Sequence, residues 1–128
     1  MPVLRQTYLS PVTCSAYPDR LYVFGDNMMR RGHAGQAVIR DEPNTVGIPT
    51  KWAPRRDEGA YFSDEAWDIE RARRAVDIAF ERLENYCKSG GIVVIPKQGI
   101  GTGLAELPTR APKLYQYICD RIRDLEAL

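Results

Sequence analysis

Apolar residues in this chain fall into short runs and two long periodic stretches, and the two patterns predict different elements. Ile92-Val93-Val94-Ile95 is a run of β-branched residues between Gly91 and Pro96. It reads as a strand buried on both faces, the kind found in parallel sheets. Arg20 to Phe24 (RLYVF) predicts another strand, closed by the turn signal Gly25-Asp26-Asn27. Thr45 to Ile48 predicts a short strand ended by Pro49, which leaves Thr50 and Lys51 at its carboxyl end. Residues 1–19 hold Pro2, Pro11 and Pro18 and read as an extended arm, with one short strand around Val3–Tyr8.

The periodic stretches predict helices. Ile69, Ala72, Val76, Ala79, Phe80, Leu83 and Cys87 recur at intervals of three and four, one apolar face of a helix over Ile69–Lys88. Asp68 is placed to cap it and Ser89-Gly90-Gly91 to stop it. Leu114, Ile118, Ile122 and Leu125 predict a second helix over Pro112–Leu125. Between the short runs, Gly32 and Gly35 bracket His33-Ala34, and Gln36 to Ile39 looks like a first helical turn. Ala53 to Asp68 carries Arg55-Arg56 and the aromatics Tyr61, Phe62 and Trp67. It reads as a surface loop longer than usual, of the kind that forms lids and binding loops. Strands alternating with helices give an α/β fold with a mixed or mostly parallel sheet and flanking helices.

Composition narrows the classes. The 128 residues suit a single domain, 44% of them hydrophobic and 27% charged. A formal net charge of +1 supplies no global field for nucleic acid, which argues against it as a partner. No apolar run approaches a membrane span. Three widely spaced cysteines, Cys14, Cys87 and Cys119, point to reduced thiols and a cytoplasmic protein rather than a disulfide framework. With one histidine and no CxxC or HExxH, no metal and no cofactor is expected.

Candidate chemistry gathers after the strands. Gly99, Gly101 and Gly103 alternate with Ile100 and Thr102 in a turn that follows the Ile92–Ile95 strand and precedes a helix. Backbone N–H groups in such a turn can cradle phosphate, and ligands of open α/β sheets lie beyond the carboxyl ends of strands. The turn is neither a Walker A loop, since no Gly-Lys-Ser/Thr follows, nor GxGxxG, since position 106 is Glu. A tight turn whose glycines serve packing alone is the plain alternative. The Gly25-Asp26-Asn27 and Gly32–Gly35 segments form a second strand, glycine loop, helix unit. Lys51 arrives at the same edge, although most lysines are solvated surface residues.

These blocks resemble the macrodomains, α/β modules that bind ADP-ribose. Gly25-Asp26-Asn27 with Gly32-His33-Ala34-Gly35-Gln36-Ala37 is similar to the family loop in which an Asn precedes a glycine-rich turn. Ile48-Pro49-Thr50-Lys51 and Pro96-Lys97-Gln98-Gly99-Ile100-Gly101-Thr102-Gly103-Leu104 are similar to the branch that removes ADP-ribose from modified glutamates. The resemblance spans about Leu21 to Leu125. It implies a compact three-layer macrodomain-like fold and a ligand site at Gly25, Asp26, Asn27, Gly32, His33, Gly35, Gln36, Thr50 and Gly99 to Leu104. ADP-ribose, or a related NAD-derived nucleotide, is the implied ligand, and an ADP-ribosylated protein the implied partner. In that branch a lysine attacks the anomeric carbon and an Asp after Gly-Leu resolves the adduct. Lys51 matches the lysine; Ala105 stands at the Asp position, with Glu106 next. Three readings therefore stay open: a glycohydrolase using Lys51 and Glu106, a sensor or sequestering module without turnover, and an unrelated Rossmann-like nucleotide enzyme.

Overall fold

A computed structural model describes residues 2–128. Four strands, β1 (Val3–Gln6), β2 (Arg20–Asp26), β3 (Thr45–Pro49) and β4 (Ile92–Pro96), form one sheet in the order β1-β4-β2-β3. Every neighbouring pair is parallel. The helices are α1 (Pro11–Ala16), α2 (Ala66–Lys88), α3 (Leu107–Arg110) and α4 (Pro112–Glu126).

Alternation along the central strands builds a core on each face. Leu21 and Val23 of β2, with Val93 and Ile95 of β4, meet Val76, Phe80 and Leu83 of α2 and Leu114 and Ile118 of α4. Tyr22, Phe24 and Val94 point the other way, against Cys14 of α1 and Ala37 and Ile39. Helices thus cover both faces, as expected for buried parallel strands, and the architecture is a three-layer α/β fold.

Several elements differ from the sequence expectation. The amino-terminal arm is not merely extended. Val3–Gln6 pairs with β4 as an edge strand, and Pro11–Ala16 is helical. Ser10 caps that helix by accepting from the Thr13 N–H, with Pro11 in the first turn, where its missing N–H costs nothing. Gln36–Ile39 does not open a long helix; Gly35–Ile39 is a single 3-10 turn. Helix α2 starts at Ala66 with Glu65 as its cap residue, three residues before Ile69. Asp68 sits in its first turn and accepts from the N–H and hydroxyl of Ser63. The 53–68 loop is no free lid. Lys51 bridges Tyr61 in antiparallel fashion, Trp52 N–H donates to the Ala60 carbonyl, and Ala60 and Phe62 are fully buried. Of its three aromatics, only Trp67 stands largely in solvent.

The connections fix where a ligand can enter. After β2 the chain turns to the α1 face, and after β4 it turns to the α2–α4 face. β2 and β4 are neighbours, so a crevice opens between their carboxyl ends, the switch point at which open α/β sheets take ligands.

Candidate functional site

That crevice is a cavity of about 830 Å³. It is bordered by the segments after all four strands: Thr7 to Leu9, Gly25 to Asn27 with Arg31 to Ala37, Thr50 to Tyr61 in part, and Gln98 with Gly101 to Glu106. Among the residues expected at the site, only Gly99 and Ile100 do not border it. Ile100 is buried in the main core, and Gly99, at φ +88°, turns the chain.

Hydrogen bonds and packing lock these segments together. The Gly25 N–H donates to Gln36 Oε1 at 2.8 Å, and Gln36 Nε2 donates to the Gly99 carbonyl at 3.0 Å. Gln36 therefore spans the crevice and ties β2 to the glycine turn. Leu104, half exposed, lies over Gly35, where a Cβ would approach its Cδ1 to 3.3 Å. Gly32, at φ +98°, abuts Pro54 in the same way.

Asp26 and Asn27 are buried beside the cavity, and both side chains are engaged with the protein. The Asp26 carboxylate binds Arg40 Nη2 at 2.5 Å and Arg30 Nη1 at 3.1 Å and accepts the Asn27 N–H. Gly47 makes room for it, since a Cβ there would overlap the carboxylate. Asn27 accepts from the Met29 N–H and donates to the Arg31 carbonyl at 2.8 Å. The pair thus shapes the 27–31 loop, in which Arg30 is held at φ 56°. His33 stands in solvent at the rim and meets Asp41 at 2.9 Å. Thr50 bonds the Asp26 carbonyl through both its N–H and its hydroxyl.

The glycine turn presents unused donors. Gly101 has φ +83°, and a Cβ there would lie 2.9 Å from Leu107 Cδ2. Its close approach is to the protein's own leucine. The Glu106 N–H donates to the Gly103 carbonyl and the Leu107 N–H to the Gly101 carbonyl, which closes the loop. Among the described residues, the N–H groups of Gly101, Thr102, Gly103, Leu104 and Ala105 have no acceptor. A Cβ on Gly103 would meet nothing within 4 Å.

Lys51 is 9% exposed at the cavity wall. Its Nζ donates to the Arg55 carbonyl at 2.7 Å and lies 4.4 Å from the centroid of the Tyr61 ring. Burial pushes the ammonium below the ordinary lysine range; Arg56 and Arg110 add to that, while Glu106 opposes it most among the neighbouring charges. Glu106, at φ 49°, is tied to Arg110 at 3.3 Å, and Arg110 stacks on Tyr61 at 3.7 Å. Lys51, Tyr61, Arg110 and Glu106 form one cluster. Tyr61 and Arg110 were not singled out from sequence. The one signal for Arg110 was its spacing of four from Glu106, which proves to be the cap residue of α3.

Among the described residues no group of three His, Cys, Asp or Glu is placed to hold a metal ion. Among the described residues no helix is long and apolar enough to cross a membrane. A family model described as "Family of unknown function (DUF7831)" matches residues 4–121. No curated protein and no solved structure matches the chain.

Proposed function

The chain belongs to the DUF7831 family, whose function is unknown, and we propose that it binds ADP-ribose or a closely related NAD-derived nucleotide at the carboxyl ends of its strands. The observation that carries this reading is the run of five acceptorless N–H groups in Gly101 to Ala105, a segment that borders the same cavity as Lys51. Backbone donors in a glycine turn suit a diphosphate, because they are fixed, cationic in effect and free of side-chain bulk. The cavity volume of about 830 Å³ lies within the ~300–1,000 Å³ usual for small-molecule sites. The resemblance of three sequence blocks to macrodomains favours ADP-ribose within that class. Calorimetry with ADP-ribose, NAD and AMP tests it: ADP-ribose should bind with the highest affinity. Absence of binding by all of them at millimolar concentration would remove the reading.

Turnover is a second reading, favoured by the lowered basicity of Lys51 and the nearness of Glu106. A neutral Nζ attacks the anomeric carbon of the terminal ribose as the bond to the modified side chain breaks. The departing group takes up a proton, and the amine loses one. Glu106 then draws the proton from a water that attacks the same carbon, and a proton is delivered to Nζ as the C–N bond breaks, which releases the ribose and restores the neutral amine. Reductive trapping followed by intact-mass measurement detects the adduct. A mass increase lost in Lys51→Ala supports turnover; binding with neither adduct nor released ADP-ribose leaves a sensor or sequestering module.

A further inference from the structure

Lys51 is a buried cation without an acid. Its Nζ donates to the neutral Arg55 carbonyl at 2.7 Å and lies over the Tyr61 ring, and among the described residues it enters no ion pair. A lysine this deeply buried ordinarily has a carboxylate beside it. Two carboxylates do act on Lys51, Glu106 the more strongly and Asp57 the less. Each is held by an arginine instead, Asp57 by Arg55 at 2.8 Å and Glu106 by Arg110 at 3.3 Å.

Of these two arginines Arg110 is the one built into the fold. Arg55 and Asp57 are both more than half exposed, whereas the Arg110 side chain is 26% exposed. The Arg110 guanidinium also binds Glu58 at 2.9 Å and stacks on Tyr61 at 3.7 Å. Its spacing from Glu106 is set by the backbone, because the Arg110 N–H donates to the Glu106 carbonyl at 2.9 Å and one turn of α3 carries both. Tyr61 in turn is bridged to Lys51 through the backbone. One ring therefore carries both Lys51 and Arg110, and Arg110 carries the acid that Lys51 lacks. Arg110 itself does not border the cavity, whereas Lys51, Tyr61 and Glu106 do.

We propose that Arg110 is a positioning residue for Lys51: it keeps the Glu106 carboxylate on its own guanidinium, so that Lys51 Nζ stays out of an ion pair and free to attack. An ammonium paired with a carboxylate holds its proton, and only the neutral amine is a nucleophile. Arg110 acts in two ways, by engaging Glu106 and by placing a like charge on the same ring. From the loop after β3, Arg56 acts in the same sense and Asp57 against it. The purpose of the free amine rests on the turnover reading above; its protonation is measurable with no substrate present.

NMR of the ligand-free chain labelled in its lysine side chains decides it, since Lys51 is one of four lysines and is assigned by its loss in Lys51→Met. In the wild type Lys51 should titrate below 10.5. In Arg110→Gln its midpoint should move up by about one pH unit, the scale of an amine gaining an adjacent acid. Arg110→Lys, which keeps a cation for Glu106, should stay near the wild type. In a Glu106→Gln background the Arg110→Gln change should move Lys51 far less, because no carboxylate is released. If Arg110→Gln does not fold, Arg110→Met, which keeps an apolar stem on Tyr61, replaces it in both backgrounds with the same expectation. A wild-type Lys51 that titrates at 10.5 or above, no rise in Arg110→Gln, an equal rise in Arg110→Lys, or the same rise with and without Glu106 overturns the role. Reductive trapping with ADP-ribose reports separately on turnover. An adduct whose formation needs higher pH in Arg110→Gln supports both readings. A Lys51 that responds to Arg110 as stated yet forms no adduct supports the positioning role and removes turnover.

Discussion

Lys51 is an amine held where its charge is penalised, and that has a measurable consequence. Its folded-state pKa lies below the ordinary 10.5, so between those values the unfolded chain binds the extra proton. Stability therefore rises with pH through the window just below 10.5, as the burial penalty on the ammonium is released, and falls as pH drops back through the folded value. Comparing urea midpoints of the wild type and Lys51→Met from pH 8 upwards should isolate the effect: the wild type gains relative to the variant as pH rises. A constant difference would mean that Lys51 titrates normally. Tyr22 is the opposite case. Its ring is fully buried, its hydroxyl has no hydrogen-bond partner, and burial pushes its pKa up. Removing an unsatisfied buried hydroxyl costs little, so Tyr22→Phe should match or exceed wild-type stability by up to ~1 kcal/mol in denaturant unfolding. The glycines separate by role as well. Gly101→Val forces a β-branched side chain into a left-handed backbone and against Leu107, and should destabilise the fold by a few kcal/mol, on the order of 2–3. It is therefore a poor probe of ligand approach, whereas a Cβ at Gly103, on the segment bordering the cavity, meets nothing within 4 Å. Strand-end position marked Thr50 and Lys51 in the sequence. Tyr61 and Arg110 were not legible, because what gives them a place in the cluster is the return of the 53–62 loop and the stacking of two cations on one ring, neither of which is periodic.

Elements whose faces are apolar in a strict period were legible, since burial enforces the period. β2, β4, α2 and α4 lie close to where alternation and three-four spacing put them. The amino-terminal arm was harder. Its prolines suggest extended chain, but Pro11 stands at the start of a helix, the one helical position that suits it. Six residues are too few to display a period, so only the Ser10 cap could have signalled α1. That cap is expected to matter: Ser10→Ala should lower stability by about 1 kcal/mol, read from the denaturation midpoint. No change would mean that packing of Cys14 alone holds the helix. The start of α2 was misjudged for a related reason. Asp68 has the chemistry of a cap, and it uses that chemistry on Ser63 from inside the first turn.

At the level of the molecule, sheet order is the feature local sequence does not carry. That β4 lies between β1 and β2 follows from long-range pairing, Val3 with Val93 and Leu21 with Val93 on its two sides. The position of the cavity depends on that order, because neighbouring strands whose connections leave to opposite faces open the crevice. The convergence of the glycine turns and Lys51 on one edge was nonetheless legible, since each follows a parallel strand. We propose above that this edge binds ADP-ribose or a close relative through the 101–105 backbone. Calorimetric titration of ADP-ribose into the wild type and into Gly103→Val tests it most directly, with thermal unfolding of both proteins in parallel. The expected result is binding to the wild type, about 2.7 kcal/mol of added stability at a ligand concentration one hundred times the Kd, and loss of that binding in a Gly103→Val protein that unfolds at the wild-type temperature. Equal affinity of the two folded proteins for ADP-ribose, or no binding by the wild type, would contradict the account.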